Sequence, residues 1–145
     1  HLFYERDDLG IWHATSRDLR EWRNVQDEPV ITMGPEKYDK HGVAMNQIIR
    51  YGENYYAYYH GTPTEDWSDW NMNIAISKDL NEWRKFSGNP ILRENKSSGI
   101  LVHDGKQYRL YTMHDQIELF YPRTNKLSVI KAPRIMPIAN GANAR

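Results

Sequence analysis

Apolar and aromatic residues in this chain fall into short alternating runs, and no segment sustains the 3.6-residue spacing of an amphipathic helix. HLFYE at 1–5, GIWHATS at 10–16, AMNQIIRY at 44–51, NYYAYYH at 54–60, NMNIAIS at 71–77, GILVH at 99–103 and QYRLYTM at 107–113 each predict a strand. EPVITM at 28–33, QIELFYP at 116–122 and KLSVIKA at 126–132 predict three more. Gly52-Glu53 and Asp104-Gly105 sit between neighbouring runs and predict hairpins. The pattern is that of an all-β protein.

One run is stated twice. IWHATSRDLREW at 11–22 returns as MNIAISKDLNEW at 72–83, with Ala14, Ser16, Asp18, Leu19, Glu21, Trp22 and Arg23 matching Ala75, Ser77, Asp79, Leu80, Glu82, Trp83 and Arg84. The register holds to Pro29 and Pro90. The shared S-x-D-L-x-x-W predicts one helical turn between strands, with Ser16 or Ser77 as cap and Asp18 or Asp79 at its positive end. Leu and Trp three apart would share a face, and a fourth strand would begin at the proline. Such a unit is a four-stranded antiparallel blade, and radial repetition of blades gives a propeller. The chain divides into an incomplete blade over 1–33, a complete one over 43–92, a third over 99–132 and a polar tail over 133–145. That is roughly two and a half blades, where a closed ring has about four to eight. The expectation is a single partial propeller that belongs to a larger one or completes its ring by self-association.

Composition narrows the chemistry. Lys+Arg and Asp+Glu both number 19, so charge makes no case for nucleic acid or an anionic membrane. Apolar runs are too short for a spanning helix, and the charged start HLFYERDD does not read as a secretory signal. Without cysteine there are no disulfides or thiolate metal sites. None of this fixes the compartment. Ten Tyr and five Trp against three Phe favour rings that carry a polar handle, which suit a β-rich core and also stack on sugars.

A strand followed by A-x-S-x-D-L-x-x-W and then N-P-I-L resembles the blade signature of five-bladed β-propeller glycosidases, the furanosidase-type glycoside hydrolase families 43, 32 and 68. IIRYGENYYAYYHG and ILVHDGKQYRLYTM resemble the opening of their blades, and the similarity runs from residue 1 to about 122. The resemblance implies carbohydrate as the partner and cleavage of glycosidic bonds in furanosides or plant-type polysaccharides. It implies three carboxylates near the starts of three blades: a base or nucleophile, a general acid, and a residue that positions the acid. The inner strand for the first is not in this sequence. At the second, Ala44-Met45-Asn46-Gln47-Ile48 carries amides where the family carries a carboxylate. Near the third stands Glu94, the candidate catalytic acid.

The first strand of a blade lines the central funnel, so polar residues entering the blades are binding candidates. Asp39, His41, Asn46 and Gln47 enter the second blade, and Ser97 and Ser98 enter the third with Glu94. The bland alternative is that the amides satisfy backbone groups near the axis and that Glu94 is a solvated loop charge. His60 and the pair His114-Asp115 follow corresponding strands, with a structural or sugar-binding role. In the loop GTPTEDWSDW at 61–70, Trp67 and Trp70 stack on a sugar or cap the blade edge, the edge role being favoured. Trp12, Trp22 and Trp83 are expected between blades, and Glu5-Arg6-Asp7-Asp8 as a solvated turn. No phosphate loop, catalytic serine order or HExxH spacing is present, and neither cofactor nor metal is predicted. The alternative to an enzyme is a non-catalytic module that binds carbohydrate or assembles with copies of itself; a lectin-like scaffold without sugar chemistry is a third reading.

Overall fold

The computed structural model describes residues 1–113, 117–123 and 126–130. Three antiparallel sheets follow one another along the chain. The first holds β1 (Leu2–Glu5), β2 (Gly10–Thr15), β3 (Arg23–Asn24) and β4 (Ile31–Thr32). The second runs β5 (Gly42–Tyr51), β6 (Asn54–Thr62), β7 (Asn71–Ser77), β8 (Trp83–Lys85), in that order across the sheet. The third runs β9 (Ile100–His103), β10 (Tyr108–Met113), β11 (Ile117–Arg123), β12 (Lys126–Ile130). A 3-10 turn, Lys37–Asp39, lies in the connection between the first two sheets. No helix among the described residues is long and apolar enough to cross a membrane.

The repeat holds at the level of single hydrogen bonds. Val25 N donates to His13 O and Val30 N to Ile11 O; Phe86 N donates to Ile74 O and Ile91 N to Met72 O, the same bonds 61 positions on. The helical turn does not form. Ser16 Oγ accepts from Leu19 N at 2.8 Å, and Asp18 Oδ1 accepts from Arg20 N and Glu21 N at 2.9 and 3.0 Å. Ser77 and Asp79 repeat those contacts with Leu80, Asn81 and Glu82. The capping bonds are as expected, but Leu19 and Leu80 have φ of +62° and +70°. A left-handed residue turns the chain out of a right-handed helix, so the phrase closes a tight bend.

The fourth strand also differs from expectation. It starts at Arg23 or Trp83, well before the proline, and is broken. In the first sheet β3 and β4 both pair with β2, with a bulging segment between them. In the second, β8 pairs with β7 and Leu92 bridges Met72 further on. The gap is filled by a side chain: Asn89 Oδ1 accepts from Ile74 N and Asn89 Nδ2 donates to Ile74 O, both at 2.9 Å. The amide takes the place of a peptide in the ladder.

Successive sheets pack face to face. Ile11, Val30 and Ile31 of the first meet Val43, Ala57, Tyr59 and Ala75 of the second, with Phe3 edge-on to Trp83 at 6.1 Å. Met72 and Leu92 of the second meet Leu110 of the third, joined by Tyr58 and Leu101. Strand β6 thus sends Ala57 and Tyr59 to one seam and Tyr58 to the other, as alternation requires. Of the tryptophans expected between blades, Trp83 is there; Trp12 lies under Arg6 at 4.7 Å, and Trp22 is 36% exposed. Sheets stacked in this way are successive blades of a partial β-propeller.

Candidate functional site

The antiparallel order brings several connections to one end of the blades: the β1–β2 turn, the linker before β5, the β6–β7 loop and the linker before β9. Backbone bonds tie them together, Val43 N to Asp8 O at 2.7 Å and His41 N to Thr62 O at 3.0 Å. Most residues singled out from the sequence lie at this end.

Its centre is a bulge. Pairing in β5 passes from Met45↔Tyr59 to Gln47↔Tyr58, leaving Asn46 without a cross-strand partner. A bulge re-aims its extra side chain. Asn46 Oδ1 stands 3.1 Å from His60 Nδ1; an amide oxygen accepts, so Nδ1 carries the proton. The His60 ring meets Trp70 edge-to-face at 4.9 Å, and Trp70 meets Trp67 at 5.9 Å. The loop bearing both tryptophans is anchored. Buried Thr62 donates Oγ1 to Asp69 O at 2.8 Å, Trp70 N donates to Asn95 Oδ1 at 3.0 Å, and Asn95 N donates to Asp69 Oδ1 at 3.2 Å.

The other predicted residues divide. Gln47 is a joint between blades: its Nε2 donates to Leu101 O at 3.0 Å and its Oε1 accepts from Leu101 N at 2.6 Å. Asp39 does not face an open funnel. It is fully buried, and its Oδ2 accepts from Tyr59 Oη at 3.0 Å and Lys85 Nζ at 2.6 Å, while Oδ1 has no partner among the described residues. Burial pushes the Asp39 carboxyl above its ordinary range, against the pull of Lys85 and Tyr59. His41 is half-buried, Ser97 is buried, and Ser98 is half-buried with φ +49°. Glu94 has φ +62° and an 86% exposed side chain, 3.8 Å from Lys96 Nζ. It lines a groove of about 1410 Å³ beside β8, with Tyr38, Asp69, Lys85, Asn89 and Arg93; neither Asn46 nor His60 lines that groove. His114 and Asp115 lie outside the described residues.

Two carboxylates escaped the sequence reading. Glu5 pairs with Ile11 as His60 pairs with Met72, and Ile11 and Met72 are repeat equivalents, so Glu5 and His60 occupy the same station on successive blades. Partial burial raises the Glu5 carboxyl, Asp8's charge adds to the rise, and the Met45 N–H opposes it. Asp8 is raised by burial and then by Asp7. The equivalence was hidden because the β6–β7 loop is longer than the β1–β2 turn, so the repeat spacing changes between strands. Among the described residues no three His, Asp or Glu group as metal ligands.

Comparison with known proteins fits this architecture. No curated protein matches the chain. The model for the glycosyl hydrolases family 32 N-terminal domain matches residues 2–115, which take in the first two blades and the β9–β10 hairpin. The chain therefore belongs to the glycosyl hydrolase family 32 N-terminal domain, a five-bladed β-propeller family, of which it forms a partial propeller.

Proposed function

We propose that this chain holds sugar in a carbohydrate-active propeller and cleaves glycosidic bonds of furanosides or plant-type polysaccharides by carboxylate chemistry. The observation that carries the reading is the bulge that turns Asn46 onto His60, with Trp70 against the imidazole. The Asn46 amide nitrogen offers a donor to sugar hydroxyls, and the Trp70 indole offers an apolar face to the ring's C–H side. A leaving glycosidic oxygen needs a proton from a carboxyl held protonated near neutral pH. Glu5 holds on the first blade the station that His60 holds on the second, and burial and Asp8 raise its carboxyl; Glu94 points from a loop into the groove beside β8, so Glu5 is the acid put forward. A second, ionised carboxylate activates water or attacks from the other face.

The second reading is a non-catalytic sugar-binding module. Gln47 favours it: this inner-strand amide is committed on both atoms to Leu101, so its station supplies no acid. The outward face of the first blade, with Leu19 and Trp22 exposed, suits packing by the remainder of a larger propeller or by a second copy.

Release of reducing ends from arabinan, xylan and fructan separates the readings. Hydrolysis should fall about a hundredfold or more in Glu5→Gln and survive in Glu94→Gln. The reverse pattern would give the acid role to Glu94. Sugar binding that His60→Ala abolishes, without hydrolysis by the wild type, would establish the module.

A further inference from the structure

Trp67 combines features that a purely structural tryptophan does not need. It stands at the tip of the β6–β7 loop with 43% of its surface exposed. Its φ is +57°, a left-handed conformation unfavourable for any residue with a Cβ. The loop enforces it: Trp67 N donates to Thr64 O at 3.2 Å, and Asp66 Oδ1 accepts from Ser68 N at 3.1 Å and Ser68 Oγ at 2.8 Å. A conformation held against its own preference, on a loop pinned at its base by Thr62 and Asn95, is the kind of strain kept where a side chain must be displayed. The ring is not isolated. It meets Trp70 at 5.9 Å and 72°, and Trp70 meets His60 at 4.9 Å, so an aromatic row leads from the end of β6 to solvent.

We infer that Trp67 is a stacking platform for a second sugar unit, adjoining the one held by Asn46, His60 and Trp70, so that the site prefers oligosaccharides to monosaccharides. This rests on the sugar-binding reading above. An indole covers a pyranose or furanose ring with little loss of side-chain freedom, and a fixed loop loses little more on binding. The row of rings also sets a direction, because the second unit lies on the solvent side of His60.

The test compares wild type, Trp67→Gly, Trp67→Phe and His60→Ala. Each is titrated with the mono-, di- and tetrasaccharides of the arabinose, xylose and fructose series. Glycine accepts the left-handed backbone, which offsets part of the lost Trp70 contact, so Trp67→Gly should still fold, its thermal unfolding serving as the control. It should bind the tetraose about tenfold more weakly, the loss of one modest contact, and the monosaccharide unchanged. Trp67→Phe, which keeps a flat ring, should recover part of the loss. Unchanged affinity of Trp67→Gly at every chain length, with binding lost in His60→Ala, overturns the platform and leaves the sugar site standing. Equal loss for monosaccharide and tetraose also overturns it. Failure of the wild type to bind any of the three series overturns both.

Discussion

Asp39 shows how one residue can be polar, buried and near a candidate site without being part of it. Its Oδ2 receives both the Lys85 ammonium and the Tyr59 hydroxyl, and Lys85 also donates to Gly34 O at 2.6 Å. The cluster ties the linker ahead of β5 to the outer strand β8. Because burial raises the folded-state pKa above the unfolded value of 3.8, the folded protein binds this proton more tightly than the unfolded chain. The contribution of Asp39 to stability is therefore greatest below the ordinary carboxylate range and declines as pH rises through the raised value. A neutral isostere should be tolerated accordingly. Asp39→Asn is expected to cost little, whereas Asp39→Ala, which strips Lys85 and Tyr59 of their acceptor, should cost about 3–5 kcal/mol. Urea unfolding of the two variants reads the difference. From sequence, Asp39 looked like a funnel residue because it precedes an inner strand; its burial depends on Tyr59 and Lys85, twenty and forty-six positions away, which no local pattern reports.

At the scale of the element, the bend around Leu19 and Leu80 separates backbone strain from burial. The two bends share their hydrogen bonds and positive φ, but Leu19 is 77% exposed and Leu80 only 8%. The difference is the neighbour: the first blade covers the bend of the second, and His13 Nδ1 reaches Asn81 Oδ1 at 3.2 Å across that seam. A left-handed leucine costs about 1–2 kcal/mol, which glycine relieves at some cost in chain entropy. Leu19→Gly should leave stability within about 1 kcal/mol of wild type. Leu80→Gly also forfeits a buried side chain, so it should destabilise by about 2 kcal/mol; thermal unfolding of both variants checks the contrast. The duplication itself was plain in the sequence, as were the capping serine and aspartate. The helical turn was not correct, because Leu and Trp three apart suit a helix and a tight bend alike, and only φ tells them apart. The short pieces of fourth strand were missed for a related reason: Arg23–Asn24 and Trp83–Lys85 are too brief and too polar to alternate.

For the molecule as a whole, cohesion depends on how each blade is fastened to the next. Between the first two the seam is mostly apolar, built on Ile11, Val43, Tyr59 and their neighbours. Between the second and third a smaller apolar cluster is supplemented by Gln47, whose amide pairs with the Leu101 backbone as an extra strand would. Gln47→Leu should leave that N–H and C=O without their partner, at a cost of about 1–3 kcal/mol. Faster hydrogen exchange confined to Ile100–His103 and its neighbours is the expected mark; unaltered exchange there would deny the joint its role. Reading the sequence placed amides at this inner strand and offered both a binding and a backbone-satisfying role. The structure divides them, Gln47 to the seam and Asn46 to His60, and the deciding feature is a one-residue bulge that leaves no trace in an alternating pattern.

Asn89, the side chain that fills the missing rung beside Ile74, is followed by Pro90. Asparagine ages when the next residue's main-chain nitrogen loses its proton and closes on the side-chain amide, expelling ammonia. Proline has no such proton. The borrowed rung thus stands where that route to deamidation is shut, and the second blade can carry it through a long working life without the amide decaying to a charge that could no longer donate to Ile74 O.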